Sequence, residues 1–289
     1  MKFITRHTLL LFAFVCISGI FVSFISFKNS GNIEDNRELI DKIFQSVKDL
    51  KTLRYSLQCN ERIKGNMFHS ESKVKLQTSP RKLYLNIKGI EVLWIQGTNN
   101  GEALINPNSF PYIDLNLDPY GAIMRKDQHH TVHEMGFLYL QDILEYDLKK
   151  VEGSVDKYFK ILGDEMYENR PCYKLSVTYP SFAFMPYTVK KGENLVTISR
   201  RLRISEYMVL ENNPKISNYN DVKEGQVIQI PNAYAKLTLL LIDKEYLLPL
   251  STKVYDDKGV YETYDYHGLQ VNTAIAPEEF TKKYKDYHF

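Results

Sequence analysis

The chain has 289 residues, 44% hydrophobic and 25% charged, with 37 basic against 35 acidic side chains. That is an ordinary globular composition, with room for one large domain and a small one. Without Lys2, Arg6 and Lys28 near the start, 34 basic residues face 35 acidic ones, which gives no ground for a nucleic-acid partner.

Residues 9–27 form an uncharged apolar run of 19 residues behind Lys2 and Arg6. The run is long for a signal-peptide core and just long enough to span a bilayer. No small-x-small cleavage site follows, and Ala13-Phe14-Val15 lacks the small residue that precedes a lipidated Cys16. Residues 1–28 therefore read as a signal peptide or an uncleaved anchor. Both place the rest outside the cytoplasm, because the positive charges precede the run. The expected location is the periplasm or cell envelope, with membrane contact through 9–27 if the segment is retained. Cys59 and Cys172 are the other cysteines. They form either one disulfide or two buried thiols in separate strands.

Residues 35–50 read as an amphipathic helix with Leu39, Ile40, Ile43, Val47 and Leu50 on one side. The period then changes to two. Leu53, Tyr55, Leu57 and Cys59 alternate with polar residues, as do Val74 and Leu76, then Leu83, Leu85 and Ile87. Residues 92–95 and 103–105 add shorter strands, and turn signals between the runs suit hairpins. The stretch 107–119 is irregular and proline-marked, and 131–149 reads as a second helix. Strands resume at 158–162 and 172–178, then at 236–243, 247–255 and 260–266, the last two joined by an Asp256-Asp257-Lys258-Gly259 turn. Abundant tyrosine, 21 residues, suits strands and half-wet surfaces.

Residues 187–231 have their own pattern: strand, two short helices N-capped by Asn194 and Ser205, and strand, with Gly192 and Gly225 at the turns. The segments YTVKKGENL, Ile198-Ser199, Asn212-Asn213-Pro214 and EGQVIQIP make it closely resemble a LysM domain. It departs from that pattern at Glu193-Asn194, where Asp-Thr is common, and at Val196, where an aromatic is common. The resemblance implies a groove for N-acetylglucosamine glycans, hence peptidoglycan as partner, between Gly192, Glu193, Asn194 and Leu195 on one side and Asn213, Pro214, Lys215 and Ile216 on the other. Strand patterns on both sides imply an insertion into a hairpin between 172–178 and 236–243. The stretches 180–186 and 232–235 are expected to hold it at a limited distance from its host.

The host, 35–180 with 236–289, is similar to the LolA-like family. The residues that carry this are SPRKLYLNIKG at 79–89, LDPYGAIMRKDQHHTVHEMGFLYL at 117–140, NRPCYKLSVTYP at 169–180, LIDKEYLLPLSTKVYDD at 241–257 and LQVNTAIAPEEF at 269–280. The resemblance implies an α+β fold: a curved antiparallel sheet, a half-barrel with capping helices, around an apolar cavity. Leu83, Leu85, Trp94, Leu239 and Leu241 are the candidate lining for a lipid or lipoprotein. The competing reading has them simply filling a core.

His129 and His133 are four apart, as metal ligands on a helix would be. However, Thr131-x-x-Glu134 is a capping box that would begin the helix after His129, and His-Glu-x-x-His is absent. No metal or cofactor site is expected. Cys59 and Cys172 sit in strand patterns, and no G-x-S-x-G, Walker-type or dinucleotide loop occurs. The expectation is a non-catalytic envelope protein. The alternatives are a cell-wall hydrolase with an unrecognised site, or a structural adaptor without a cavity.

Overall fold

The structure is a computed structural model that describes residues 35–151 and 153–289. The run 9–27, with the choice between signal peptide and anchor, lies outside the described residues. Among the described residues no helix is long and apolar enough to cross a membrane.

Helix α1 (Asn36–Lys48) starts where the Asp35 carboxylate accepts from the backbone N–H of Arg37 at 2.7 Å and of Glu38 at 3.3 Å. Its buried stripe is Leu39, Ile40, Ile43, Phe44 and Val47. Then follow β1 (Thr52–Ile63), β2 (Asn66–Thr78), β3 (Arg81–Ile87), β4 (Ile90–Ile95) and β5 (Ala103–Asn106). A short β6 (Leu115–Leu117) falls inside the stretch expected to be irregular. After α2 (Leu138–Lys150) and the single turn α3 (Val155–Tyr158) come β7 (Phe159–Tyr167) and β8 (Arg170–Thr178). The module supplies β9 (Phe184–Thr188), α4 (Leu195–Leu202), α5 (Glu206–Glu211) and β10 (Val227–Pro231). The chain returns through β11 (Leu237–Asp243), β12 (Pro249–Asp256) and β13 (Gly259–Val271).

The class is α+β, as expected. Eleven strands form one antiparallel sheet in the order β6-β5-β4-β3-β2-β1-β13-β12-β11-β8-β7, and β10-β9 form a second. Two meanders thus meet at β1–β13, and the large sheet stays open, with β6 and β7 at its edges. β8 pairs with β11 from Leu237↔Thr178 to Asp243↔Cys172, so residues 179–236 are an excursion from a single hairpin.

Period-two burial selects the inner face. Tyr173, Leu175, Leu240 and Ile242 pack against α1 and against Leu144 and Leu148 of α2. Leu53, Leu76, Leu83, Leu85 and Trp94 pack with Val132 and Phe137. A second layer covers the other face of β3 and β4, where Phe280, Tyr287 and Phe289 from the C-terminal segment lie on Tyr84 and Leu93.

The helix expected over 131–149 is broken. Thr131 and Glu134 do form the capping box, but it starts only a 3-10 turn, Val132–Glu134. Gly136 then takes φ +83°, and α2 begins at Leu138. A Cβ at position 136 would stand 2.7 Å from Leu76 Cδ2, so both the backbone angle and the space there call for glycine.

The stretches 180–186 and 232–235 run directly between the host sheet and the module. Ala233, Tyr234 and Ala235 are buried, and Tyr207 and Met208 of α5 share a core with Ile63, Ile143, Val254 and Tyr261 of the host. The cause lies in α5 itself. Val209 faces into the module, while Tyr207 and Met208 face out of it and are buried against the sheet.

Candidate functional site

A cavity of about 100 Å³ lies between α2 and five neighbouring strands, β1, β13, β12, β11 and β8. Leu57, Ile143, Leu144, Val177 and Val254 give it an apolar wall, and Tyr139, Tyr179, Tyr234, Tyr264 and Tyr266 add amphipathic rings. Four ionisable side chains besides tyrosine face it: His130, Glu134, Asp147 and Glu262.

Three of those four have strong partners. Glu262 accepts from the Tyr234 hydroxyl at 2.8 Å, the Tyr264 hydroxyl at 3.1 Å and His129 Nδ1–H at 2.7 Å. Burial would raise its pKa, but the charge on His130 and the bonds from both histidines hold it well below the carboxylate range. Burial would likewise lower His130, yet Glu262, Glu61 and Glu134 raise it to about 9. Glu134 caps Thr131 and pairs with Arg200 of α4. Asp147 differs. Burial pushes its carboxyl up to about 6, against the weaker pull of Tyr179 and Lys150. Its Oδ1 is buried and accepts no hydrogen bond, and the nearby Tyr179 hydroxyl also lies outside hydrogen-bond geometry.

Behind the cavity, Glu61 and Glu262 are direct cross-strand partners on β1 and β13, an arrangement that repels. His129 offsets it: its backbone N–H donates to Glu61 at 2.9 Å, and its Nε2 lies 3.0 Å from the Arg62 carbonyl. The Tyr264 hydroxyl donates to Glu61 at 2.6 Å. Among the described residues, Glu61, His129 and Glu262 are the group that could hold a metal ion, their ligand atoms lying within 4.8 Å of one another. Each of these atoms already has a protein partner, so hydrogen bonds within the protein meet the polar demand of the cluster.

The module closes this network from above. Tyr207 stacks on His129 with ring centres 4.7 Å apart, and Tyr261 stacks on it at 4.2 Å. The Tyr207 hydroxyl accepts from Lys64 N at 3.0 Å, and Ser205 Oγ lies 2.8 Å from the Tyr261 hydroxyl. Glu206 pairs with Arg125 in a buried bridge and with Arg200 Nε at 3.0 Å, while Arg125 also lies over the Tyr219 ring.

Within the module, Asn194 and Thr197 cap each other, and α4 ends at Arg203 with φ +51°. Leu195 N donates to the Tyr219 carbonyl at 2.9 Å, and Asn194 Nδ2 donates to Asn220 at 2.8 Å. Asn213 bridges Val209 of α5 to Gln229 of β10 through three bonds of 2.7–2.8 Å. Residues 51–189, just under half of the chain, match the family described as Protein of unknown function (DUF1571), and residues 187–231 match the LysM domain. The module is a LysM domain. Among solved structures the chain is similar to the lipoprotein LppX of Mycobacterium tuberculosis, at 9% identity and TM-score 0.39, over 84% of this chain and 99% of that one. It is also similar to a putative outer membrane lipoprotein-sorting protein domain from Vibrio parahaemolyticus, at 11% and 0.33, over 86% and 98%. A LolA superfamily protein from Nitrosomonas europaea matches at 10% and 0.25, over 86% and 97%. No curated protein matches the chain.

Of the groove residues named from the sequence, Leu195 and Ile216 meet in the core of the LysM domain. Gly192, Pro214 and Lys215 are exposed. Glu193 is tied to Tyr187 at 2.7 Å and Arg201 at 2.8 Å, and Asn194 and Asn213 have the structural bonds given above. The five lipid candidates do not line the cavity. Leu83, Leu85 and Trp94 fill the core further along the sheet. Leu239 and Leu241 alternate with the buried Leu240 and Ile242, so they point to the opposite face.

His133 is turned away from His129 and packs between Trp94 and Tyr120. Cys59 and Cys172 are free buried thiols, and burial raises both, the latter to about 11, which keeps them protonated at neutral pH. The sequence reading missed Asp147 and Glu262. Each had a signal: Asp147 follows Ile143 and Leu144 at helical spacing on the apolar stripe, and Glu262 is in phase with Tyr264 and Tyr266.

Proposed function

We propose that this is a cell-envelope binding protein whose LysM domain engages the N-acetylglucosamine glycans of peptidoglycan. Its sheet offers a cavity to a lipid, or to the apolar part of a lipoprotein or protein partner. The observation that carries this reading is the way the LysM domain is docked. Its α5 face is consumed by the host, while Gly192 and Pro214-Lys215 on its loops remain exposed to a partner. Backbone N–H and C=O groups of those loops suit an acetamide, for which no charged side chain is needed. The apolar run 9–27 behind Lys2 and Arg6 supports an envelope location. The chain acts as a binder rather than a catalyst, its carboxylate–histidine cluster being engaged in holding two strands and α5 together.

The test is co-sedimentation of the whole chain with purified peptidoglycan, competed by N-acetylglucosamine oligomers. The excised 187–231 fragment would expose Tyr207 and Met208 and is the wrong reagent. Retention that the oligomers reverse is expected. A chain left in the supernatant would sink the glycan reading.

A further inference from the structure

The polar groups on the cavity wall divide by what they lack. His130, Glu134 and Glu262 are engaged with one another, with tyrosine hydroxyls or with Arg200. Asp147 is as deeply buried, at 3% exposure, but its Oδ1 accepts nothing. A buried carboxylate oxygen without a donor in hydrogen-bond geometry is costly, and the nearby Tyr179 hydroxyl and Lys150 charge offset that cost only in part. Asp147 also lies in the last turn of α2, where the helix dipole disfavours an acid. The second unpartnered group, the Tyr179 hydroxyl, lines the same cavity. Leu144 and Val177 are apolar neighbours on the wall.

We propose that the cavity takes a single-chain apolar molecule whose polar end is a hydrogen-bond donor, a hydroxyl or a protonated amine, seated on Asp147 beside Tyr179. It would reject chains that end in a carboxylate or phosphate. This rests on the reading of the cavity as a ligand site. An anionic end would meet Asp147, Glu134 and Glu262, and the imidazole of His130 is committed to Glu262. A donor end satisfies the orphaned oxygen, whereas an anionic end, even one accepting from the Tyr179 hydroxyl, leaves Asp147 without a donor and sets a second negative charge beside it.

The experiment compares octylamine, 1-octanol and octanoate against the whole chain by calorimetry at neutral pH. The amine and the alcohol are expected to bind, with octanoate weaker by about tenfold or more. Binding by only one of the two donor-ended chains supports the proposal and identifies the head group. Octanoate binding as tightly as either would overturn it while leaving the cavity a ligand site, and no binding by any of the three would remove both. Asp147→Asn is expected to weaken octylamine by about tenfold and octanol by about threefold or less. Octylamine affinity that is unchanged in that variant would also overturn the proposal. If the variant does not fold, the comparison on the unaltered chain decides alone.

Discussion

Glu262 and Asp147 each bury a carboxylate on the wall of the same cavity, one on β13 and one on α2. Burial raises the pKa of both. At Glu262 the neighbouring histidines more than reverse it, while at Asp147 the raised value, about 6, survives. The two differ in donors, not in depth. β1 pairs Glu61 directly with Glu262, and the fold recruits His129, Tyr264 and Tyr234 to make that pairing tolerable. α2 brings no donor to Asp147 Oδ1. A buried acid surrounded by donors belongs to the architecture. One left without them points to what the cavity receives.

The sharpest way to break the comparison is to remove the satisfied member. Glu262→Ala would leave the His130 charge buried without its counterion and the Tyr234 hydroxyl without its carboxylate acceptor, while Tyr264 keeps Glu61. Loss of about 3–5 kcal/mol is expected, as for other broken buried pairs, read as a lower midpoint in urea. A raised midpoint would place Glu262 in the same class as Asp147.

Removing the unsatisfied member should do the reverse. The native state favours protonated Asp147, a preference fully present below the ordinary value of 3.8 and lost as the pH rises through about 6. Above that, the ionised group costs up to about 3 kcal/mol, since each tenfold change in proton affinity is worth roughly 1.4 kcal/mol. Asp147→Asn is therefore expected to be more stable than the parent at pH 7 and equal to it near pH 4. A less stable variant at pH 7 would mean that Asp147 already has a partner within the protein.

The strand pattern was legible in the sequence because period-two burial is local. Leu53, Tyr55 and Leu57 announce their face without reference to anything distant. The caps at Asn194 and Ser205 were legible for the same reason. What could not be read depends on residues far apart in the chain. Tyr207 and Met208 look like ordinary core of a small module until the ends of the β1–β2 and β12–β13 hairpins come beneath them. Leu239 and Leu241 seemed as good a cavity lining as Leu240 and Ile242, because β11 is apolar on both faces and pattern alone cannot choose one. Gly136 carried a signal, but its φ was hidden inside a convincing helical period.

Docking of the LysM domain tests whether the satisfied network extends into α5. Tyr261→Phe removes the hydroxyl that meets the Ser205 cap, and about 1–2 kcal/mol should be lost. Amide exchange should quicken in α5 and around His129 while β3 and β4 are unaffected. Uniform exchange across the chain would mean that the LysM domain and the sheet unfold as one unit whatever their interface.

Glu279 supplies a third carboxylate, satisfied like Glu262 but at the rim. Arg54 bonds it at 2.6 and 2.8 Å and Lys75 at 2.8 Å, and these bonds, the first from Arg54, bring it down to about 2 despite partial burial. Its folded pKa is depressed, so its contribution is fully present above the ordinary value of 4.5 and fades as the pH falls toward 2. Solvent screening limits it to about 1 kcal/mol. The bonds fasten the C-terminal segment, whose Tyr287 stacks on Tyr84 with ring centres 3.8 Å apart, to the outer face of the sheet. Glu279→Gln should therefore quicken amide exchange in residues 281–289 at pH 7, and the parent should reach the same behaviour only as the pH drops below 4.5. The cavity lies on the other face, so ligand affinity should be unchanged. A change in affinity would show that the two faces of the sheet are coupled, and that satisfied and unsatisfied carboxylates share one energetic unit.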